Sequence, residues 1–354
     1  MEINQEEKHI FQNLKILTEL SGMAGFEDSV NEWLYKKWKP YVESLEYSGT
    51  RNLIAHFGGK GPKVLLEAHA DEIGFLVKSI DESGFIRIVP SNPYLINPGR
   101  ATFIVGLPAI IQTQKKLYVN GFFAAISGHA YPSALSDNGP LKWDDVFIDI
   151  GANNKEEVEN RGIAIGDAIV WNPPTIRIGR HITGKAMDDR VGLLIMTEIL
   201  PRLSIDELKY DLFLSSTIQE EMGLIGASSL EKITKLDLAI CLDIVPSGDL
   251  PGIKMTDNPI RLGYGPVLIH HDTSVHYYRP LIQSLQKTAE SKGIPIQQAV
   301  LSRYGSNGAE LIRSGIPTAL IGMPTRYTHS PFETIDQSDL IHCIDLLNCF
   351  LLGE

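Results

Sequence analysis

Cysteine is scarce in this 354-residue chain: Cys241, Cys343 and Cys349, with no CxxC spacing among them. So odd and sparse a set argues against a disulfide framework and against a cysteine-built zinc site, and it suits a reducing compartment. No apolar run approaches the roughly 18 residues that a bilayer span needs, so no membrane association is expected. The N-terminus, MEINQEEKHI, is acidic and polar where a secretory signal is basic and then apolar. These features predict a cytoplasmic protein. Basic residues are in deficit as well. Against 43 Asp and Glu stand 32 Lys and Arg, a formal net charge of −11, which speaks against a surface built to displace counterions from nucleic acid.

What is present is the composition of a globular chain with a real core: 43% hydrophobic and 21% charged residues. The length invites two domains. The first forty residues carry Ile10, Leu14 and Leu17 at helical spacing, broken by Gly22 and Gly25. The apolar run 64–70 reads as a buried strand whose carboxyl end opens on a site. Short strand-like pieces follow at 85–89, 101–105, 108–113, 146–150 and 167–171, punctuated by Gly, Pro and Asn. From about 184 an α/β rhythm returns, with helices at 190–203, 223–233, 276–292 and 337–352. Strands are predicted at 210–218, 237–244, 295–302 and 318–323. The economical architecture is an α/β domain formed by 1–72 and 182–354, with helices on both faces of a mixed sheet, interrupted by a smaller β-barrel-like insertion at 73–181. The glycine-rich stretch 58–62 lacks phosphate-loop spacing and reads as a turn.

Five segments place an acid or an imidazole at, or just beyond, a strand end. His69 and Asp71 alternate onto the same side of an extended chain, so the carboxylate can orient the imidazole. Asp188 and Asp189 precede a predicted helix, where they serve either as its cap or as a carboxylate bridge between cations. Glu220 and Glu221 follow the strand DLFLSST. Their divergent directions leave one free as a base while the other holds metal. Asp243 ends the apolar strand LDLAICLDI, where an unpaired charge is costly. His329 follows the strand TALIGM in a loop stiffened by Pro331. Taken jointly, His69, Asp188, Glu221, Asp243 and His329 suit a two-cation hydrolytic centre of zinc, cobalt or manganese. His270, His271 and Asp272 form a rival cluster, and His129 and His181 could approach the site from its rim.

On EAHADEIGF (67–75), FIDIGA (147–152), GKAMDDRVG (184–192), TIQEEMGLIGA (217–227), LDIVPSGDLPG (242–252) and GMPTRYTHSPFETID (322–336), the chain resembles the M42 metallo-aminopeptidases. The resemblance implies that Asp188 bridges two divalent metals, with His69 and Asp243 completing one site and Glu221 and His329 the other. It implies Glu220 as general base, Asp71 as the partner orienting His69, and a cis peptide between 188 and 189. The insertion then resembles a dimerisation module, from which dimers build a dodecamer. The expected reaction is removal of the N-terminal residue from short peptides by a water activated between the ions. The chain departs from the family at 304–310, which reads Tyr-Gly-Ser-Asn-Gly-Ala-Glu, so that Asn307 stands where an acid is usual. Two other functions compete with this one. A glycosidase needs two carboxylates flanking a sugar groove and has no use for the histidines, and four tryptophans furnish few groove platforms. A non-catalytic scaffold needs a broken site, and all seven positions are intact.

Overall fold

The computed structural model describes residues 4–92, 104–126, 141–232 and 235–354. Its elements in chain order are α1 Gln5–Glu19, α2 Asp28–Trp38, β1 Ser44–Tyr47, β2 Leu53–Gly58, β3 Lys63–His69, β4 Phe75–Ile80, β5 Ile86–Pro90, β6 Pro108–Gln112, β7 Tyr118–Ala125 and β8 Val146–Asp149. There follow α3 Lys155–Asn160, β9 Ala168–Trp171, β10 Ile176–Ile178, β11 His181–Gly184, α4 Met187–Ile199, β12 Asp211–Thr217 and β13 Leu238–Pro246. The chain closes with β14 Val267–His271, α5 Arg279–Lys292, β15 Gln297–Val300, α6 Gly308–Arg313, β16 Thr318–Thr325, β17 Glu333–Asp336 and α7 Gln337–Leu352.

Eight strands form one mixed sheet in the order β1-β2-β12-β3-β13-β16-β14-β15. Its centre, β12-β3-β13-β16, is parallel throughout. Central parallel strands are buried on both faces and read as continuous apolar runs. Accordingly every residue of β16 is buried, as is β13 between its two terminal residues. The helix α4, buried along its whole length, packs on this centre between α1 and α7. Strands β4 to β9 close a six-stranded barrel with a separate core around Phe75, Phe123, Ile148 and Trp171. The fold is thus α/β with a mixed sheet and an additional β-barrel, as the sequence predicts. A third, three-stranded sheet, β10-β11-β17, has no counterpart among the sequence expectations.

Three other expectations need correction. Residues 223–232 are not an α-helix: a 3-10 turn at Glu220–Met222 precedes them, a 3-10 helix covers only Ala227–Lys232, and 233 lies outside the described residues. Gly223 and Leu224 both lie at positive φ, and a Cβ on Gly226 would stand 2.5 Å from the Ile218 carbonyl, so the chain cannot coil evenly there. Residues 104–105 lie in a turn rather than a strand, while 101–103 lie outside the described residues. The helix placed at 190–203 begins at Met187 and gives way to a 3-10 turn at Leu200–Arg202, where Pro201 removes a donor. Sequence reading also missed β14 and the short α6. Among the described residues, no helix is long and apolar enough to cross a membrane.

Candidate active site

The parallel centre of the sheet brings the carboxyl ends of β3, β12, β13 and β16 to one edge, and the chemistry gathers there. His69 is the last residue of β3 and Asp243 lies near the end of β13. Gln219, at φ +52, turns the chain off β12 so that Glu220 and Glu221 occupy a 3-10 turn. Asp188 enters from the start of α4, and its peptide bond to Asp189 is cis, as the resemblance implied. His329 comes from the loop after β16 and holds φ +57, in the left-handed region.

The two oxygens of Asp188 face different histidines. Oδ1 lies 3.0 Å from His69 Nε2, and Oδ2 lies 3.3 Å from His329 Nε2. His329 Nε2 is also 3.1 Å from Glu221 Oε1. Two groups of donors result, each with its ligand atoms within 4.8 Å of one another: His69, Asp189 and Asp243 in one, Asp188, Glu221 and His329 in the other. Asp189 has no role of its own in the sequence reading. It joins the first group with Oδ1 accepting from the Gly192 amide and Oδ2 buried without a hydrogen-bond partner.

Asp71 divides its work. Its carbonyl oxygen is 3.1 Å from His69 Nδ1, while its carboxylate, 3.5 Å from the same nitrogen, accepts from the Glu220 amide at 2.9 Å and the Glu221 amide at 3.0 Å. The carboxylate thus holds the turn that presents the two glutamates, while the nearer partner of the imidazole is the Asp71 backbone carbonyl. Glu333, missed by sequence reading, clamps the other side: it accepts from the Asp188 amide at 3.1 Å and the His329 amide at 2.8 Å. The signal was available, since Glu333 lies four residues beyond His329 in the same motif. Asn92, beyond the end of β5, donates to the Glu221 carbonyl at 2.9 Å and to its carboxylate at 3.1 Å, so the barrel side also touches the centre.

The electrostatics are those of acids crowded out of water. Burial pushes Glu220 well above the usual carboxylate range, and burial followed by the Asp188 charge lifts Asp243 to about 8. Burial and Asp188 likewise bring Glu333 to about 8. Asp188 moves the other way. Burial opposes its charge, yet hydrogen bonds from His329 and His69 hold it below its ordinary value. Both histidines are raised despite burial, by the carboxylates around them. Neutral imidazoles and ionised carboxylates are what a cation selects, and binding one releases such protons. With Asp189 Oδ2 left unpartnered, the donor set fits divalent ions.

The remaining candidates stand apart from these two groups. His181 lies on β11 beside Asp336, 3.6 Å from its carboxylate. His270 bonds Gln298, His271 stacks on His276, and Asp272 accepts from the Tyr277 hydroxyl. His129 lies outside the described residues. A small pocket opens at the centre, lined by Asp188, Glu221, His329 and Glu333 together with Ile73 and Trp171.

An α/β sheet whose strand ends gather paired histidines and carboxylates has the build of a hydrolase centre. The chain belongs to the M42 glutamyl aminopeptidase family, whose profile matches residues 51–346, and it is an aminopeptidase. It is similar to FrvX of Escherichia coli K12, itself named as a candidate aminopeptidase, with 33% identity across 96% of this chain and 94% of that one. Among solved structures it resembles the aminopeptidase APDkam598 of Desulfurococcus kamchatkensis, with TM-score 0.91, 29% identity and coverage of 98% and 95%. It also resembles the TET1 peptidase of Pyrococcus horikoshii, which can assemble into a tetrahedron or a large octahedral shell. There the TM-score is 0.85 with 27% identity, over 97% of this chain and 99% of that one.

Proposed function

We propose that this aminopeptidase works with two divalent cations and removes the N-terminal residue from short peptides. One observation carries the reading: each oxygen of Asp188 faces its own histidine, at 3.0 and 3.3 Å. Asp188 would lie between the cations, His69 and Asp243 completing one site and Glu221 and His329 the other. Mixed imidazole and carboxylate donors suit zinc, cobalt or manganese. When bound, such a pair makes a nucleophile of water near neutral pH and polarises the scissile carbonyl.

The chain's own residues do the rest. Glu220, fixed through its amide by Asp71, accepts the proton of the attacking water and delivers it to the leaving amine. Burial raises its affinity for protons, and the charge of bound cations would lower it again. The catalytic unit would be 1–72 with 182–354, the insertion 73–181 would make dimers, and the dimers would build a dodecamer in the cytoplasm. A sugar-cleaving alternative finds no support in carboxylates that turn toward histidines instead of across a groove.

The test is a panel of aminoacyl chromogenic substrates and their N-acetylated counterparts, with chelator-stripped protein before and after reloading. Activity is expected to vanish on stripping, to return with zinc, cobalt or manganese, and to be absent on every acetylated substrate. Cleavage of acetylated substrates at comparable rates contradicts an aminopeptidase, and full activity after stripping contradicts the cations.

A further inference from the structure

Asn307, where the sequence departs from its family, sits at the end of a buried polar network directly behind the centre. Its Nδ2 donates to Glu67 Oε1 at 2.7 Å and to Thr217 Oγ1 at 2.9 Å. Thr217 Oγ1 donates to the same Glu67 oxygen at 2.6 Å, and Cys241 Sγ to Glu67 Oε2 at 2.9 Å. Glu67 is fully buried, so this carboxylate is satisfied only by donors arriving from three other segments. An acid at 307 would set two buried carboxyl groups about as close as the 2.7 Å contact now made, and one of them would have to hold a proton to donate to the other. The amide supplies that donor without a shared proton, its Nδ2 bonded and its Oδ1 left without a hydrogen-bond partner.

The network lies one step below the proposed ligands. Glu67 and Cys241 are the last register partners of β3 and β13. Two residues further on, on the same faces of the same strands, come His69 and Asp243. Ser306 Oγ lies 3.2 Å from Cys241 Sγ. Ser306 and Tyr304 lie near enough to Asp243 to draw its proton affinity down against burial, and the Tyr304 hydroxyl donates its one proton to the Ile244 carbonyl, next to Asp243, at 2.7 Å. The loop 304–307 therefore touches Asp243 at one end and Glu67 at the other.

We propose that Glu67 and Asn307 are a positioning pair: the amide moors the 304–307 loop to the buried carboxylate, which holds Tyr304 and Ser306 against Asp243. The inference rests on the two-cation reading above. It adds that the pair governs one site, that of His69 and Asp243, and leaves the Glu221 and His329 site alone.

Cobalt(II) titration of the stripped full-length protein, followed by absorption and by competition with a chromogenic chelator, tests this. Asp243→Asn and His329→Ala assign the two binding steps. Asn307→Asp is expected to weaken the Asp243 step by about 10–100-fold, as loss of a ligand's supporting contacts does, with the His329 step unchanged. Glu67→Gln added to Asn307→Asp exchanges acid and amide, so that the introduced amide donates to the introduced carboxylate, and recovers parental binding. Should Asn307→Asp not fold, Asn307→Ala removes the mooring without adding a charge and is read the same way. Parental binding of both ions in the single variant, equal weakening of both steps, or an exchange no better than the single variant overturns the proposal. A parent chain that takes up no cobalt instead sinks the two-cation reading itself.

Discussion

Glu220→Gln is expected to lower kcat by roughly 10²–10⁴-fold, the usual worth of a positioned proton acceptor, with bound metal unchanged. Glutamine keeps the size of the side chain and, through its backbone, the bond to Asp71 that fixes the turn at 2.9 Å. What it loses is the site that takes a proton from water. Glu221→Gln separates the roles. Its carboxylate is 3.1 Å from His329 and held by Asn92, so its loss is expected to lower metal content first and activity as a consequence. Steady-state kinetics beside elemental analysis of both variants distinguish these outcomes. A Glu220→Gln enzyme within a few-fold of the parent removes Glu220 as the base.

The second large effect is on stability. Glu72 is buried and accepts from Lys185 Nζ at 2.7 and 2.8 Å, with Arg190 Nη2 at 3.4 Å, and both cations are fully buried. Burial, only partly offset by Glu72, draws Lys185 down to about 8, so at neutral pH the ammonium depends on this partner. Glu72→Ala strands two cations at once and is expected to destabilise the fold by about 3–5 kcal/mol, the range for breaking a buried pair. Lys185→Met should cost less. It leaves the carboxylate with Arg190 and with the Gly22 amide, which donates at 3.1 Å. Denaturant unfolding of the two variants gives the order, and Lys185→Met as damaging as Glu72→Ala would contradict it. The same contacts tie α1 to α4 through the Leu17 and Leu20 carbonyls, at 2.6 Å from Arg190 and 2.9 Å from Lys185. The cluster thus braces the element from which Asp188 projects.

Much of this was legible because burial writes itself into composition. β13 and β16 are apolar runs, and an acid such as Asp243 at the end of one could be noticed from the sequence alone. The parallel order that gathers these ends could be expected from the α/β rhythm. Asp189 and Glu333 were harder, since an acid close to a more conspicuous ligand carries no separate signal until the backbone is in place. The turns around Gly223 hid behind a helical composition, because Gly226 is fixed by the Ile218 carbonyl, a contact no local pattern encodes. Asn307 was visible as an oddity. Its reason was not, for it lies 240 positions away in Glu67.

The central claim, two cations held around Asp188, is tested most directly by reloading the stripped protein in steps while following metal uptake and peptide hydrolysis together. The account predicts uptake that saturates at two ions per chain, with activity reaching its plateau only as the second enters, and an Asp188→Asn variant that fails to hold the pair. Full activity at one ion per chain, or an Asp188→Asn variant that binds two and cleaves like the parent, would contradict it.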